Sequence, residues 1–246
     1  MPTFDRVSEV YDATRSLRPD VMEAVLDGLE QALGGTNTLL DVGVGTGRFA
    51  DPLRRLGFEV VGVDLSRRMM AKAREKQIPD LILADAESLP LRSKSFEVAM
   101  IVHLLHLVDD WGRVVGELVR VASRYVVSVI EKVEGPRFRD LYIESGEELG
   151  QPAKKLRRGE EGLESLCKPS RSRVLVRYAD ETEADTEIDE YESRIYSATW
   201  DIPSTAHAKI VRRLRDEYGG KRIRRKHEFS LVMWTPRELQ NLHPST

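Results

Sequence analysis

The residues best suited to chemistry lie in a glycine-rich turn that directly follows a short apolar run. Thr38–Val42 reads TLLDV, an apolar run with Asp41 set into it, and Gly43, Gly45 and Gly47 follow at alternating positions. Glycine adopts backbone angles that are closed to other residues, and it lets a ligand approach the main chain closely. An apolar strand, a glycine turn and a helix start together form an edge that binds a nucleotide.

This turn by itself leaves several functions open. The spacing Gly45-x-Gly47-x-x-Ala50 fits the dinucleotide fingerprint, which predicts an NAD(P)-dependent oxidoreductase. A glycine turn with no ligand is the structural alternative, and a non-catalytic binding module is another. The residues that follow the turn therefore have to separate these interpretations.

Two further acids end predicted strands. Asp64 follows the apolar run Phe58–Val63 and lies 21 positions after Gly43, the distance at which an acid binds ribose hydroxyls. Asp85 and Ala86 follow the short apolar run that begins at Leu81. Aspartates at strand ends also act as turn formers, so the sequence leaves that role open for both acids and for Asp41.

A family resemblance emerges when these segments are read in order. The series DVGVGTG, VDLS, ADAESLPL and SFEVAMIVHLLHLV resembles the class I S-adenosylmethionine-dependent methyltransferases, closest to the ubiquinone/menaquinone C-methyltransferase-like small-molecule branch. The match covers roughly residues 4 to 130. It implies a methyl transfer to a small molecule from S-adenosyl-L-methionine, with S-adenosyl-L-homocysteine as the product.

The resemblance also implies a cofactor site. A bound cofactor of this kind needs a close main-chain surface for its amino-acid tail, a carboxylate near its ammonium group, an acceptor for the ribose diol, and polar and apolar partners for adenine. At the matching positions we expect these cofactor-binding residues: Tyr11, Arg15, Asp41, Gly43, Gly45, Gly47, Asp64, Leu65, Asp85 and Ala86. By the same resemblance, the segment Phe4–Arg15 closes over the methionine end.

Two histidines are the candidate catalytic residues. His103 and His106 follow the fourth predicted strand, at the sheet edge where acceptor substrates bind. A base is needed only if the nucleophile arrives protonated, because the sulfonium leaving group departs neutral. Each histidine is also a candidate for a packed, hydrogen-bonded side chain, since leucines surround them.

Composition narrows the class of protein. The chain has 246 residues with a net charge of −3 and a single cysteine, Cys167, which excludes an internal disulfide and a cysteine-based zinc cluster. We predict no metal site. The sequence contains no apolar run long enough to span a membrane, and its first residues lack a signal-peptide pattern, so we expect a cytoplasmic protein.

Two basic runs support an alternative acceptor. Residues 154–158 read KKLRR and residues 221–226 read KRIRRK. Local runs of this kind usually form solvated faces, but a methyltransferase acting on RNA or protein would use them for docking.

Hydrophobic periodicity predicts the elements that position these residues. Amphipathic helices are expected at Asp20–Leu33 and Ser204–Tyr218, and another at Thr186–Ser197 capped by Thr186. The late strands are expected at Arg124–Val129, Arg173–Tyr178 and Lys226–Trp234.

The elements together predict an α/β fold. We expect a Rossmann-like, seven-stranded, mostly parallel sheet with helices on both faces, an antiparallel last strand and a helical insert after strand 5. We expect one methyltransferase domain over 1–246, with segments 1–34 (cap and first helix), 35–131 (cofactor-binding core), 132–170 (insert or lid) and 171–246 (completion of the sheet).

Overall fold

The computed structural model describes residues 4–108, 110–151, 159–240 and 242, which fall into two compact units. The first unit takes its residues from the ranges 1–130, 157–176 and 229–246. The second unit takes its residues from 131–156 and 177–228. All residues of the predicted cofactor site, and both candidate histidines, belong to the first unit. The basic run 154–158 lies outside the described residues.

Seven strands form one sheet in the order β3-β2-β1-β4-β5-β7-β6. The strands are β1 (Thr38–Val42), β2 (Glu59–Asp64), β3 (Leu81–Leu83), β4 (Phe96–Ile101), β5 (Ala122–Glu134), β6 (Arg171–Glu183) and β7 (Arg222–Trp234). The first five strands pair in parallel, and β7 is antiparallel. The predicted fold class is therefore confirmed.

Ten α-helices are described, with three short 3-10 helices at Phe4–Val7, Leu105–Leu107 and Ser197–Thr199. The helices are α1 (Tyr11–Arg15), α2 (Pro19–Leu33), α3 (Ala50–Arg55), α4 (Arg67–Glu75), α5 (Trp111–Val121), α6 (Phe138–Glu148), α7 (Glu160–Leu166), α8 (Ala184–Glu192), α9 (Ser204–Tyr218) and α10 (Pro236–Leu239). Helices α6 and α7 follow strand β5 in the sequence, where a helical insert is predicted; α6 belongs to the second unit and α7 to the first. None of the helices in the described ranges has the length and apolar character that a membrane span needs.

The apolar repeat that predicts helix α2 forms the buried face of that helix. Its four-residue apolar repeat is fully buried, at Val21, Val25, Leu29 and Leu33. Gly28 lies on the same buried side, where an added Cβ would come within 2.3 Å of the Leu175 side chain. The helix ends at Leu33 with Gly34 as its C-cap, and Gly35 follows in the left-handed region with φ of 79°.

The main core of the first unit lies on one face of the sheet. Side chains from β1, β4, β5 and β7 pack there against α5, α7 and α10. Asp110 caps the start of helix α5, because its side chain accepts a hydrogen bond from the Arg113 amide at 3.1 Å. Helices therefore pack against one face of the strands whose carboxyl ends carry the predicted site.

The second unit has its own core, built from α6, α8 and α9. Within it, Tyr142 Oη lies 2.6 Å from His207 Nδ1, and His207 Nε2 lies 3.2 Å from the Glu192 carbonyl oxygen. A carbonyl only accepts, so Nε2 carries the proton and Nδ1 accepts from the tyrosine. Burial lowers the pKa of His207 and raises the pKa of Tyr142 to about 12, which keeps both groups neutral.

Some predicted boundaries are wrong. The helix expected at Thr186–Ser197 is α8, which begins at Ala184 and ends at Glu192, and Thr186 is not its cap. The last three strands are each 13 residues long, so the predictions missed their charged ends.

Residues 222–226 of the basic run 221–226 form the start of strand β7 rather than a free surface patch. Arg225 is 8% exposed, and its guanidinium contacts both carboxylate oxygens of Glu187 and the Pro136 carbonyl oxygen. Exposed cations of the run pair with glutamates as well, Arg222 with Glu181 and Glu183, and Lys226 with Glu134. Ion pairs within the second unit therefore neutralise much of this run.

Candidate functional site

The glycine turn lies at the carboxyl end of β1 and is held by main-chain hydrogen bonds. The amides of Gly43 and Val44 donate to the Val63 carbonyl oxygen of β2, at 2.8 and 2.9 Å, and the Gly47 amide donates to Val44 at 2.9 Å. All three glycines are left-handed, with φ of 82° at Gly43, 56° at Gly45 and 77° at Gly47. Main-chain hydrogen bonds thus fix the turn, and its three glycines carry no side chain.

Two of these glycines are also required by packing. An added Cβ at Gly47 would lie 2.2 Å from Ile78 Cδ1, and one at Gly43 would lie 3.0 Å from Leu104 Cδ1. Ile78 and Leu104 are both buried. A larger residue at either position would need strained backbone as well as displaced core side chains.

Asp64 ends strand β2 and joins the glycine turn to helix α4. Its Oδ2 accepts from the Gly45 amide at 2.8 Å, and its Oδ1 accepts from the Ser66 amide at 2.8 Å. Burial raises the pKa of Asp64, while these amides act in the opposite direction. Each carboxylate oxygen keeps a second lone pair, so the side chain can still accept hydrogen bonds from a diol.

Asp41 lies inside the sheet, next to the turn. It is 4% exposed and pairs in register with Gly62 of β2 and Met100 of β4. Burial raises its pKa to about 7, the charge of Asp64 adds to this effect, and Arg48 opposes it. A buried acid in this position favours a cation as its partner, because a positive charge would compensate the desolvated carboxylate.

The predicted adenine-side residues differ in burial. Asp85 is exposed, and its Oδ1 accepts from the Glu87 amide at 2.9 Å, which makes it a turn former. Ala86 is buried and Leu65 is half-buried. The turn role does not occupy the second carboxylate oxygen of Asp85, and the adenine assignment remains a prediction.

Tyr11 and Arg15 lie on helix α1 near the glycine turn. The Arg15 guanidinium stacks over the Tyr11 ring, 4.9 Å from its centroid. The Arg48 side chain, just after the turn, donates to the Arg15 carbonyl oxygen at 2.7 Å. The structure therefore places these two predicted residues beside the turn.

Asp12 also links helix α1 to the glycine turn, and no sequence pattern indicates this role. Its carboxylate accepts from Thr46 Oγ1 at 2.5 Å within the turn, and from Lys76 Nζ at 2.6 Å after α4. Asp5 makes a similar bridge, since Ser66 Oγ donates to its Oδ1 at 2.5 Å. Their partners lie 34 to 64 positions away, so no local pattern reveals them.

The two candidate histidines lie just after β4, at the same edge of the sheet. His103 is exposed and has a left-handed backbone with φ of 57°. His106 is half-buried in the 3-10 helix Leu105–Leu107, and a Cβ added to Gly159 would lie 3.6 Å from its Cβ and Nδ1. Their position is compatible with the predicted acceptor side of the site.

Glu160, at the start of α7, is a buried carboxylate that the sequence analysis missed. It is 6% exposed, and its Oε1 accepts from the amides of Leu104 at 2.7 Å and Leu105 at 3.2 Å. Burial raises its pKa, and the two amides oppose this effect. The side chain therefore ties α7 to the segment that carries both histidines.

Comparison with known proteins identifies the central segment. Residues 40–126 match the family model described as a methyltransferase domain. The chain is 31% identical over 119 residues to a malonyl-[acyl-carrier protein] O-methyltransferase of Yersinia pestis, covering 48% of this chain and 44% of that protein. It is 31% identical over 155 residues to a demethylmenaquinone methyltransferase of Renibacterium salmoninarum, covering 57% and 62%. The chain spans about half the length of the curated relatives it matches.

Solved structures share the fold. The YcgJ protein of Bacillus subtilis superposes with a TM-score of 0.57 at 18% identity, covering 88% of this chain and 99% of that one. A structure titled as a putative type II methyltransferase from Anaeromyxobacter dehalogenans gives a TM-score of 0.56 at 20% identity, covering 87% and 95%. These two structures show the fold alone, and the match of residues 40–126 to the methyltransferase-domain model supports the resemblance that the motifs predict.

Proposed function

We propose that this protein is an S-adenosyl-L-methionine-dependent methyltransferase that acts on a small-molecule acceptor. The observation that carries the proposal is the edge formed by the left-handed glycine turn, the buried acid Asp41 and the strand-end acid Asp64. This edge lies within the segment that matches the methyltransferase domain.

The residues at this edge fit such a cofactor. Gly43, Gly45 and Gly47 have left-handed backbones and no side chains of their own, so a ligand could approach their main chain closely. Asp41 would hold the ammonium group and Asp64 the ribose hydroxyls. The cofactor would supply a methyl group on a sulfonium, which a nucleophile displaces in line.

The other predicted residues would complete the site. Asp85 and the Ala86 main chain would contact the adenine amine, and Leu65 would pack against the ring. Tyr11 and Arg15 would close the methionine end, which their stacking beside the turn supports. The lid role expected for residues 132–170 also belongs to this proposal.

The protein's part in the transfer would be mainly orientation. Displacement from a neutral leaving group depends on holding donor and acceptor in line, and the rigid sheet edge is suited to this. His103 and His106 would remove a proton from an acceptor that arrives protonated. Their position after β4 supports this role.

The comparisons favour a small acceptor. Relatives carry names that refer to malonyl-[acyl-carrier protein], demethylmenaquinone and phosphatidylethanolamine. An RNA or protein acceptor would need an open basic face. Of the two basic runs, 221–226 is extensively ion-paired, and 154–158 lies outside the described residues.

A ligand panel tests the cofactor. S-adenosyl-L-homocysteine should raise the melting temperature, because a ligand that binds only the native state stabilises it, and NAD and NADP at the same concentration should not. Stabilisation by NAD or NADP alone would instead support the oxidoreductase alternative. The cytoplasmic location stays a prediction.

A methyl-transfer assay tests the acceptor. Tritiated S-adenosyl-L-methionine would be incubated with a malonyl thioester, a demethylnaphthoquinol, phosphatidylethanolamine and total RNA in parallel. Label should move to one of the first three compounds. Label in RNA alone, lost steeply as salt rises, would establish the RNA alternative, because phosphate contacts release counterions.

A further inference from the structure

The backbone of the segment directly after β4 depends on contacts from other parts of the chain. His103 is left-handed, a conformation that costs free energy in a residue with a side chain and persists only when surrounding contacts impose it. The chain then turns directly into a single 3-10 turn at Leu105–Leu107. The first amides of such a turn have no partner within it and need an external acceptor.

Glu160 supplies that acceptor from a distant part of the sequence. Its Oε1 takes the amide protons of Leu104 and Leu105, from 56 and 55 positions away. One carboxylate oxygen therefore satisfies two consecutive amides directly after the strained residue. Hydrogen bonds to a carboxylate are stronger than those between neutral groups, and burial excludes competing water.

The residue before Glu160 lies close to the second histidine. A Cβ added to Gly159 would lie 3.6 Å from the Cβ and Nδ1 atoms of His106. Glu160 thus fixes the two amides between the histidines, and the chain just before it passes beside the His106 ring. A carboxylate at 6% exposure is costly to bury, so its presence here calls for a specific role.

We propose that Glu160 is a positioning residue for the acceptor side of the site, fixing the backbone that presents His103 and His106 at the carboxyl edge of the sheet. This proposal rests on the proposed methyl transfer for its functional meaning. The effect of the Glu160 carboxylate on the Leu104 and Leu105 amides and on the two histidine rings can be measured without any acceptor.

The test compares Glu160→Ala with Glu160→Gln. The glutamine keeps an oxygen of similar reach, so it can still accept from both amides, whereas alanine cannot. Glu161→Ala is the matched control, because Glu161 is exposed and adjacent on the same helix. If the alanine variant does not fold, Glu160→Asp replaces it, since its shorter side chain withdraws the oxygen.

Amide exchange and histidine NMR report the contact. In Glu160→Ala, exchange of the Leu104 and Leu105 amides should accelerate by about tenfold or more, as expected when a stabilising hydrogen bond is lost. The ring signals of His103 and His106 should shift, while those of His207 and His227 stay. Glu160→Gln and Glu161→Ala should match the wild type.

Kinetics and cofactor binding separate positioning from general stability. With the acceptor that takes label in the assay above, kcat of Glu160→Ala should fall by about ten- to a hundredfold, because small misplacements near the reacting atoms are costly. Glu160→Gln should recover most of this loss. The Kd for S-adenosyl-L-homocysteine should stay within about twofold in every variant.

Several results would overturn the proposal. These are unchanged amide exchange and ring signals in Glu160→Ala, a glutamine variant that behaves like alanine, or a cofactor Kd that weakens in parallel with the melting temperature. If wild-type protein does not bind S-adenosyl-L-homocysteine, the proposed function fails, while the NMR comparison still decides whether Glu160 positions the two histidines.

Discussion

The carboxylate of Asp64 accepts a hydrogen bond from the main-chain amide of Gly45, with 2.8 Å between Oδ2 and N. The same side chain holds the Ser66 amide with its other oxygen. A single residue at the end of β2 therefore fixes both the glycine turn and the start of α4. Its proposed role toward ribose and its structural role have to be separated by experiment.

Replacement of Asp64 by alanine should weaken binding of S-adenosyl-L-homocysteine by roughly 1.5–3 kcal/mol, the scale of hydrogen bonds to a charged group. Because two amides lose their acceptor, the free energy of unfolding should also fall by about 1–3 kcal/mol. Calorimetric titration and urea unfolding measure the two effects. An unchanged Kd alongside reduced stability would show that Asp64 only holds the backbone.

Asp41 should make cofactor binding depend on pH. Its pKa is raised to about 7 in the folded protein, so it is largely protonated at pH 6 and largely ionised at pH 8. A bound ammonium group favours the ionised form. The Kd for S-adenosyl-L-homocysteine should therefore be about tenfold weaker at pH 6 than at pH 8. Asp41→Asn should remove this dependence, and an equally steep profile in that variant would exclude Asp41 as its source.

The same group affects stability in the unliganded protein. The pKa of Asp41 in the folded protein lies above the unfolded value of 3.8. Below pH 3.8 the acid is neutral in both states, and the free energy of unfolding has its full value. Part of it is lost as pH rises toward and through about 7. Between pH 5 and 7.5, wild-type protein should lose more unfolding free energy than Asp41→Asn, as measured by urea unfolding.

Arg225 should contribute far more to stability than the neighbouring cations of its run. Removal of Arg225 by alanine substitution leaves Glu187 without its buried partner, which typically costs about 3–5 kcal/mol. Lys226→Ala, whose ion pair with Glu134 is exposed on both sides, is the matched control and should cost under about 1 kcal/mol. Equal effects on urea unfolding would contradict the buried-pair interpretation.

His207 should destabilise the protein in mild acid. Its folded pKa lies below the unfolded value of 6.5, so the stability it contributes is present above that value and is lost as pH falls below it. Protonation would also remove the acceptor of the Tyr142 hydroxyl. His207→Gln should have a flatter stability profile between pH 7.5 and 5.5. A wild-type profile that is equally flat would refute this assignment.

The sequence was informative where the determining contacts are local. The glycine turn and helix α2 depend on residues a few positions apart, and both appear as predicted. Helix α9 matches its predicted range, Ser204–Tyr218, for the same reason. Periodicity and capping chemistry act over these distances, so a single sequence contains them.

The sequence was misleading where distant partners decide the structure. The charged start of β7 resembled a solvated basic run, but glutamates more than 35 positions away pair with it and allow it to continue the sheet. Glu160 looked like one acid among many, because the amides that it binds lie more than 50 positions earlier. Side chains whose partners are remote give no local signal.

The bridges made by Asp5 and Asp12 bear on the order in which the protein assembles. Each joins the N-terminal segment to residues 34 to 64 positions further along, so each closes a large loop. Contacts of that separation form after local ones, since loop closure costs entropy before the contact is gained. The segment that carries Asp5 and Asp12 should thus dock last, and weakening its bridges should speed unfolding while leaving the folding rate nearly unchanged.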